Sequence, residues 1–354
     1  MDRTRLNNRP AKTSAAPAQP KDAVAFPIDR PTAVSAAFTA LRTTVEALRQ
    51  VAWHRLAPTL PPLERAMIAH QLRRRMRAEL GYDPDLRHPR TFNERVAHRM
   101  LHDHDPRIPV TTDKLSARDY VAARLGPELL VPLYGAWDRA ADVPWDALPD
   151  RFALKASHGW QMNLLVRDKA AVDRARALRE ADAWLHRSHY EQTGEWGYRD
   201  LRPRLLAEAL LEGDRGGPPE DFKFYVFGGQ PRLLEVHLGR GTADYGFLFF
   251  DPHDLRPLPE VGGTWHGAAP YTPPQAARAL APLAARLGAD FAFARVDLYL
   301  VGGRPWFGEL THYPASGCIR VASVEQDLWL GKLWAEVVDT GATSGGLAGA
   351  ASSR

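Results

Sequence analysis

The stretch Arg295-Val296-Asp297-Leu298-Tyr299-Leu300-Val301-Gly302-Gly303-Arg304-Pro305-Trp306-Phe307-Gly308-Glu309-Leu310-Thr311 has the pattern of two β-strands joined by a glycine turn. A two-residue turn at Gly302-Gly303 would pair Val301 with Arg304 and, because side chains alternate, put Asp297 and Glu309 on opposite faces. A three-residue turn that takes in Arg304 pairs Val301 with Pro305, and so sets Asp297 opposite Glu309 and Arg295 opposite Thr311. One face then reads Arg295, Asp297, Tyr299, Phe307, Glu309, Thr311; the other reads Val296, Leu298, Leu300, Trp306, Gly308, Leu310. This second register separates polar from apolar and is the expected one.

Carboxylates facing each other across a strand pair, with Cβ atoms about 5 Å apart, repel unless a cation lies between them. Magnesium takes hard oxygen ligands, commonly one or two carboxylates completed by substrate phosphates and water, which this face offers. Arg295, one pair along, is placed to hold a phosphate oxygen. The pattern alone leaves a second reading open, in which Asp297 and Glu309 are solvated or are neutralised by Arg295 and basic neighbours.

Outward from the hairpin, β-like runs at Phe152 to Lys155, Asn163 to Val166, Phe222 to Phe227, Leu233 to Leu238 and Tyr245 to Phe250 alternate with helical patterns at Ala170 to Arg187 and Pro273 to Leu287. Together they predict an α+β core with turns at Gly228-Gly229 and Gly302-Gly303. Upstream, helices are expected from about Ala33 to Leu56, from Pro62 to Leu80, where Ile68, Leu72, Met76 and Leu80 keep helical spacing, and from about Asp113 to Leu125. Residues 1–32 read as a disordered arm, 33–90 as an N-terminal helical region, 91–338 as the main domain and 339–354 as a flexible tail.

At 354 residues with 45% hydrophobic content, the chain can bury a core of two or three subdomains. A single cysteine, Cys318, argues against a disulfide framework or a cysteine zinc site. No run of roughly 18 apolar residues suggests a membrane span, and the N-terminus lacks the apolar core of a secretory signal, so the cytoplasm is expected. Residues 1–100 hold 18 Lys and Arg against 9 Asp and Glu, so the basic character is N-terminal and no nucleic-acid partner is expected. Arg65, Arg73, Arg74, Arg75 and Arg77 could meet a membrane-bound assembly peripherally through residues 65–77, or simply form a solvated helix face.

Several separated motifs occur in order: Thr91-Phe92-Asn93-Glu94, Asp113-Lys114, Val131-Pro132-Leu133-Tyr134-Gly135, Leu148 through Lys155, Ala207-Glu208, Asp221-Phe222-Lys223, Arg295-Val296-Asp297, and Gly308-Glu309-Leu310-Thr311 followed by Pro314-Ala315-Ser316-Gly317. From about Thr91 to Trp334 the chain resembles the TupA-like ATP-grasp proteins of bacterial surface-polysaccharide biosynthesis. The resemblance implies an ATP-grasp fold, two α+β subdomains clasping ATP, here behind an N-terminal helical extension. It implies a Mg2+- and ATP-dependent carboxylate-amine ligase working through an acyl phosphate on a small-molecule or glycan-precursor substrate.

Carried over by position, Asp297 and Glu309 look like magnesium ligands, with Thr311 completing the shell. Arg295 and Lys155 look like the catalytic groups, Arg295 on the γ-phosphate and Lys155 on the α/β phosphates. Gly159 belongs to the loop covering the phosphates, Lys223 resembles a second ATP-site lysine, Glu208 begins the hinge along the adenine edge, and Glu212 is a candidate for the ribose hydroxyls. On their own, Lys155 and Lys223 could be strand-end lysines, with Lys223 paired to Glu235. Asp113 is read as a helix cap, and His158 and His312 as hydrogen-bonded structural residues. The chain departs from the family at Gln161, where a second loop glycine is usual, and from the wider fold at Thr311, where an asparagine is common. A sugar phosphotransferase or glycosyltransferase-associated enzyme, and a nucleotide-binding scaffold of a polysaccharide assembly complex, are the competing readings.

Overall fold

The computed structural model describes residues 61–214, 216–267 and 270–341. The arm expected over 1–32, the helix expected over 33–56 and residues 342–354 of the expected tail lie outside the described residues. In chain order the elements are α1 (Pro61–Leu80), α2 (Phe92–His102), α3 (Arg107–Thr112), α4 (Ser116–Leu125), β1 (Leu133–Trp137), β2 (Phe152–Ala156), β3 (Asn163–Val166), α5 (Arg174–Leu185), α6 (His189–Thr193), β4 (Leu205–Ala209) and β5 (Asp221–Phe227). They continue with β6 (Gln230–Leu238), β7 (Gly246–Phe250), β8 (Gly263–Thr264), α7 (Leu280–Gly288), β9 (Phe293–Val301), β10 (Arg304–Thr311) and α8 (Val324–Thr340). No helix among the described residues is long and apolar enough to cross a membrane.

Two antiparallel sheets result, a small one ordered β1-β4-β2-β3 and a large one ordered β10-β9-β5-β6-β7-β8. In the small sheet Phe152, Leu154 and Ala156 of β2 and Leu205 and Ala207 of β4 pack with Trp145, Met162 and the α5 residues Ala177, Ala181 and Trp184. Alternation leaves Ala153, Lys155, Leu206 and Glu208 for the opposite face. In the large sheet Phe222, Phe224, Leu234, Val236, Val296 and Leu298 are buried on one face, and α7 lies against β5, β6 and β9. The other face carries Asp221, Lys223, Tyr225, Glu235, Arg295, Asp297, Tyr299, Glu309 and Thr311.

The central hairpin departs from the expected turn. Gly302 and Gly303 both have positive φ, 60° and 73°, which makes the two-residue turn whose twist suits flanking strands, and Val301 pairs with Arg304. A bulge between Phe307 and Glu309 then shifts the register by one, so Asp297 still faces Glu309 and Arg295 faces Thr311. Before the bulge the faces are exchanged relative to expectation. Trp306, paired with Tyr299, joins the polar face beneath the Arg304 guanidinium at 4.0 Å, and Phe307, paired with Leu298, is buried. Gly308 sits at the bulge because a Cβ there would come within 3.0 Å of both the Asp297 carbonyl oxygen and the Tyr299 ring.

Thr91-Phe92-Asn93-Glu94 turns out to be the start of α2. Thr91 accepts from the Glu94 N–H and Glu94 reaches back to the Thr91 N–H at 3.0 Å, a capping box. Asn93 hydrogen-bonds Asp327 of α8 through both its backbone and side-chain nitrogens, at 3.0 and 2.9 Å, while its Oδ1 accepts from the Ile319 N–H at 2.8 Å. Phe92 is fully buried among Tyr225, Phe227, Phe293 and Trp334. Complete burial of such a ring contributes about 2–3 kcal/mol. The motif therefore docks α2 between α8 and the large sheet. In α1, Ile68, Leu72 and Met76 are buried at the expected spacing.

Candidate active site

The polar face of the large sheet brings Glu235, Lys223, Asp297 and Glu309 into one row across β6, β5, β9 and β10. Asp297 is 1% exposed. Its two oxygens accept from Arg295 Nε and Nη2, each at 2.7 Å, and Lys223 Nζ closes the pair from β5. Arg295 Nη2 also reaches Glu309 Oε1 at 3.1 Å and Thr311 Oγ1 at 3.0 Å, and Thr311 donates to the same Glu309 oxygen. One guanidinium thus bridges the facing carboxylates. Burial opposes ionisation of Asp297, yet Arg295 and Lys223 hold its carboxyl well below the usual range. Burial likewise works against the Lys223 ammonium, and Asp221 and Asp297 more than restore it.

Lys223 does not pair with Glu235. Its carboxylate partners are Asp221, at 2.8 Å, and Asp297, whereas Glu235 accepts from Tyr225 Oη at 2.8 Å and bonds His237 Nε2 at 2.7 Å. Asp221 is also met by Arg240 at 3.2 Å.

On the small sheet Lys155 is ion-paired with Glu208, which also has Arg118 at 3.8 Å. The Glu208 carboxylate itself is therefore part of the charged face, whereas its expected role was to begin a backbone hinge. Glu212 is paired with Arg151 and Arg167 and belongs to neither cluster. In the loop between β2 and β3, a Cβ on Gly159 would collide with the His189 ring, so only glycine fits. Gln161, where the family usually has glycine, has φ 58°, a left-handed conformation that glycine adopts without strain. His158 Nε2 lies 3.2 Å from the Trp184 carbonyl and His312 Nε2 2.8 Å from Thr111 Oγ1, consistent with structural roles.

Lys114 was read from the sequence only as part of the Asp113-Lys114 motif at a helix start. Asp113 does cap, accepting from the Leu115 and Ser116 N–H groups at 2.9 Å, and this leaves Lys114 directed to the Gly159 carbonyl, with its own N–H on the Ser157 carbonyl at 3.0 Å. Burial lowers the pKa of its ammonium, Glu309 opposes that shift and Lys155 reinforces it. Lys114 is thus electrostatically coupled to both sheets. Its sequence signal was the Asp113-Lys114 motif, one of the ordered set that carries the resemblance.

Asp297 and Glu309 offer hard carboxylate oxygens in register, the donor type that would suit magnesium; in this structure Arg295 bridges them and Lys223 meets Asp297, the neutralised arrangement that the sequence left open. No group of three or more His, Cys, Asp or Glu positioned to hold a metal occurs among the described residues. Phosphate oxygens and water would complete the coordination. Thr311 is engaged with Arg295 and Glu309 here, so its visible role is to orient the glutamate.

A family model described as TupA-like ATPgrasp matches residues 94–335. Among solved structures, the chain is similar to the D-alanine–D-alanine ligase of Bacillus anthracis (14% identity, 65% of this chain and 67% of that one, TM-score 0.38). It is also similar to D-cycloserine synthetase DcsG (16% identity, 65% and 71%, TM-score 0.38) and to the D-alanine–D-alanine ligase of Helicobacter pylori (13% identity, 63% and 61%, TM-score 0.37). No curated protein matches the sequence.

Proposed function

The chain belongs to the TupA-like ATP-grasp family, and from that premise we propose that it is a magnesium- and ATP-dependent ligase that activates a carboxylate as an acyl phosphate and joins it to an amine, in building a cell-surface polysaccharide or its precursor. The observation that carries this reading is the single guanidinium of Arg295 bonded to two facing carboxylates, Asp297 and Glu309, with Lys114 donating to the Gly159 carbonyl of the loop between β2 and β3.

In this reading Lys155 and Lys114 hold phosphate oxygens, and the Gly159 loop covers them with backbone N–H groups. Arg295 exchanges part of its carboxylate bonding for the transferring phosphoryl group, whose charge it offsets. Asp297 and Glu309 hold magnesium, which supplies charge neutralisation when bound. Lys223 and Asp221 keep Asp297 ionised and fixed. Peripheral contact of Arg65, Arg73 and Arg74 with a membrane-bound assembly belongs to the same proposal, and co-sedimentation with anionic liposomes tests it.

The first experiment is thermal unfolding with and without Mg-ATP. Ligand at about 100 times its dissociation constant adds roughly 2.7 kcal/mol. A magnesium-dependent rise that Glu309→Gln abolishes is the expected result; no rise at millimolar Mg-ATP would overturn the reading. Product analysis with uronic acids and acidic amino acids then separates the ligase, which yields an amide, ADP and phosphate, from a sugar phosphotransferase.

A further inference from the structure

The strands β6 and β5 and the loop that joins β6 to β7 carry a hydrogen-bonded chain that the phosphoryl-transfer cluster does not use. Tyr245 Oη lies 2.8 Å from His237 Nδ1, His237 Nε2 lies 2.7 Å from Glu235 Oε1, and Tyr225 Oη donates to Glu235 Oε2 at 2.8 Å. The chain runs inward from solvent, since Tyr245 is 41% exposed whereas Glu235 and Tyr225 are buried.

Ionisation fixes the direction of each bond. Burial opposes the charge on Glu235, yet His237, Arg295 and Tyr225 hold its carboxyl below the usual range. A carboxylate only accepts, so Tyr225 Oη and His237 Nε2 both donate to it, and a neutral imidazole then offers Nδ1 as acceptor to the Tyr245 hydroxyl. A carboxylate that orients an imidazole whose other nitrogen meets a hydroxyl is the arrangement of a general base. Glu235 commits both oxygens to this chain although Lys223 is its cross-strand partner. The Phe247 ring, stacked on the imidazole with centroids 5.5 Å apart, holds His237 in place.

The chain lies on the same sheet face as the reacting groups. Glu235, Lys223 and Asp297 are consecutive partners across β6, β5 and β9, and with neighbouring strands about 4.8 Å apart Glu235 stands about 10 Å from Asp297. A phosphoryl group, the acyl carbon bound to it and an attacking amine fill such a span. Contacts also join the loop of Tyr245 to that row: Arg240 meets Asp221 at 3.2 Å, Asp221 meets Lys223 at 2.8 Å, and Lys223 is paired with Asp297.

Resting on the ligase reading above, we propose that the amine acceptor binds against Tyr245 and that His237, oriented by Glu235, takes its proton through the Tyr245 hydroxyl. The acceptor's ammonium gives one proton to Tyr245 Oη as Tyr245 passes its own to His237 Nδ1, which frees the nitrogen lone pair. The C–N bond forms as the acyl C–O bond breaks, its electron pair leaving on phosphate. The second nitrogen proton departs with that phosphate as hydrogen phosphate, and His237 returns its proton through Tyr245 to solvent.

The test compares two small nucleophiles on one acyl phosphate, so that losses in folding or nucleotide binding cancel: hydroxylamine, already uncharged at neutral pH, and methylamine, almost wholly protonated there. With Mg-ATP and a panel of uronic acids and acidic amino acids, the ratio of N-methylamide to hydroxamate is measured in wild type, in His237→Gln, whose amide takes up no proton, and in Tyr245→Phe. The ratio is expected to fall by about a hundredfold in each, within the range general-base catalysis supplies. An unchanged ratio in either variant, or a wild type that makes hydroxamate but no amide, overturns the proposal. A wild type that makes no hydroxamate with any acid overturns the ligase reading beneath it. Should His237→Gln fail to fold, the exposed Tyr245→Phe decides alone.

Discussion

Arg295, Asp297 and Glu309 separate stability from ligand binding at single residues. Asp297→Ala leaves Lys223 and Arg295 buried with a missing partner, and breaking a buried pair this way costs about 3–5 kcal/mol. Glu309 is 39% exposed at its side chain, so Glu309→Gln should leave the unliganded melting temperature nearly unchanged and weaken Mg-ATP binding; calorimetry and thermal shift read the two effects apart. Gln161 makes the opposite kind of prediction. Its φ of 58° suits glycine, so Gln161→Gly should raise stability by up to about 1 kcal/mol, visible as a higher urea midpoint.

Between elements, the β9–β10 hairpin shows why register needs more than a pattern. Gly302-Gly303 selects the two-residue turn, which by itself would put Asp297 and Glu309 on opposite faces, and the bulge at Gly308 brings them back together. Gly308→Ala should crowd the Asp297 carbonyl oxygen and Tyr299, and lower Mg-ATP affinity more than the loss of a surface glycine would. The α2–α8 contact is a docking device. Asn93→Ala removes one of the hydrogen bonds to the buried Asp327 carboxylate, which keeps the backbone N–H and the Tyr82 hydroxyl, and leaves the Ile319 N–H without its acceptor; it should cost about 1–3 kcal/mol, with the nucleotide KM unchanged in variants that fold.

The whole molecule's stability against pH combines buried groups of opposite sign. Glu195, which accepts from Ser316 Oγ at 2.6 Å, has its folded pKa raised by burial to about 7, so its contribution is full below the unfolded carboxyl range and is lost as pH rises through about 7. It amounts to about 3 kcal/mol at one pKa unit per 1.36 kcal/mol. His189 is depressed to about 4 by burial, with Lys114 and His158 adding to it. Its contribution is present above the unfolded histidine value and is lost as pH falls toward 4. Between the unfolded carboxyl and unfolded histidine values the two slopes oppose each other, so their sum should be nearly flat there. Glu195→Gln should unmask the His189 slope, so that its stability rises with pH from 5 toward the unfolded histidine value, as melting curves from pH 5 to 8 would show.

Local chemistry was enough to reveal much of the molecule. Glycine pairs marked both hairpins, β-like runs marked β5, β6, β9 and β10, helical spacing marked α1, and the Asp297–Glu309 pairing was reached by separating polar from apolar faces, although through a three-residue turn where the structure has a two-residue turn and a bulge. Thr91 and Glu94 also carried a capping-box signal for α2, although they were read only as part of a motif. Tertiary structure alone decided the rest. Which charge neutralises which depends on neighbouring strands, so Lys223 chose Asp221 and Asp297 over Glu235. Lys114 and Glu195 acquired their places because remote segments fold onto the loop at Gly159 and the turn at Ser316. A sequence specifies period and turn chemistry, which act over a few residues, whereas burial and Coulomb fields depend on which distant residues come within a few ångströms.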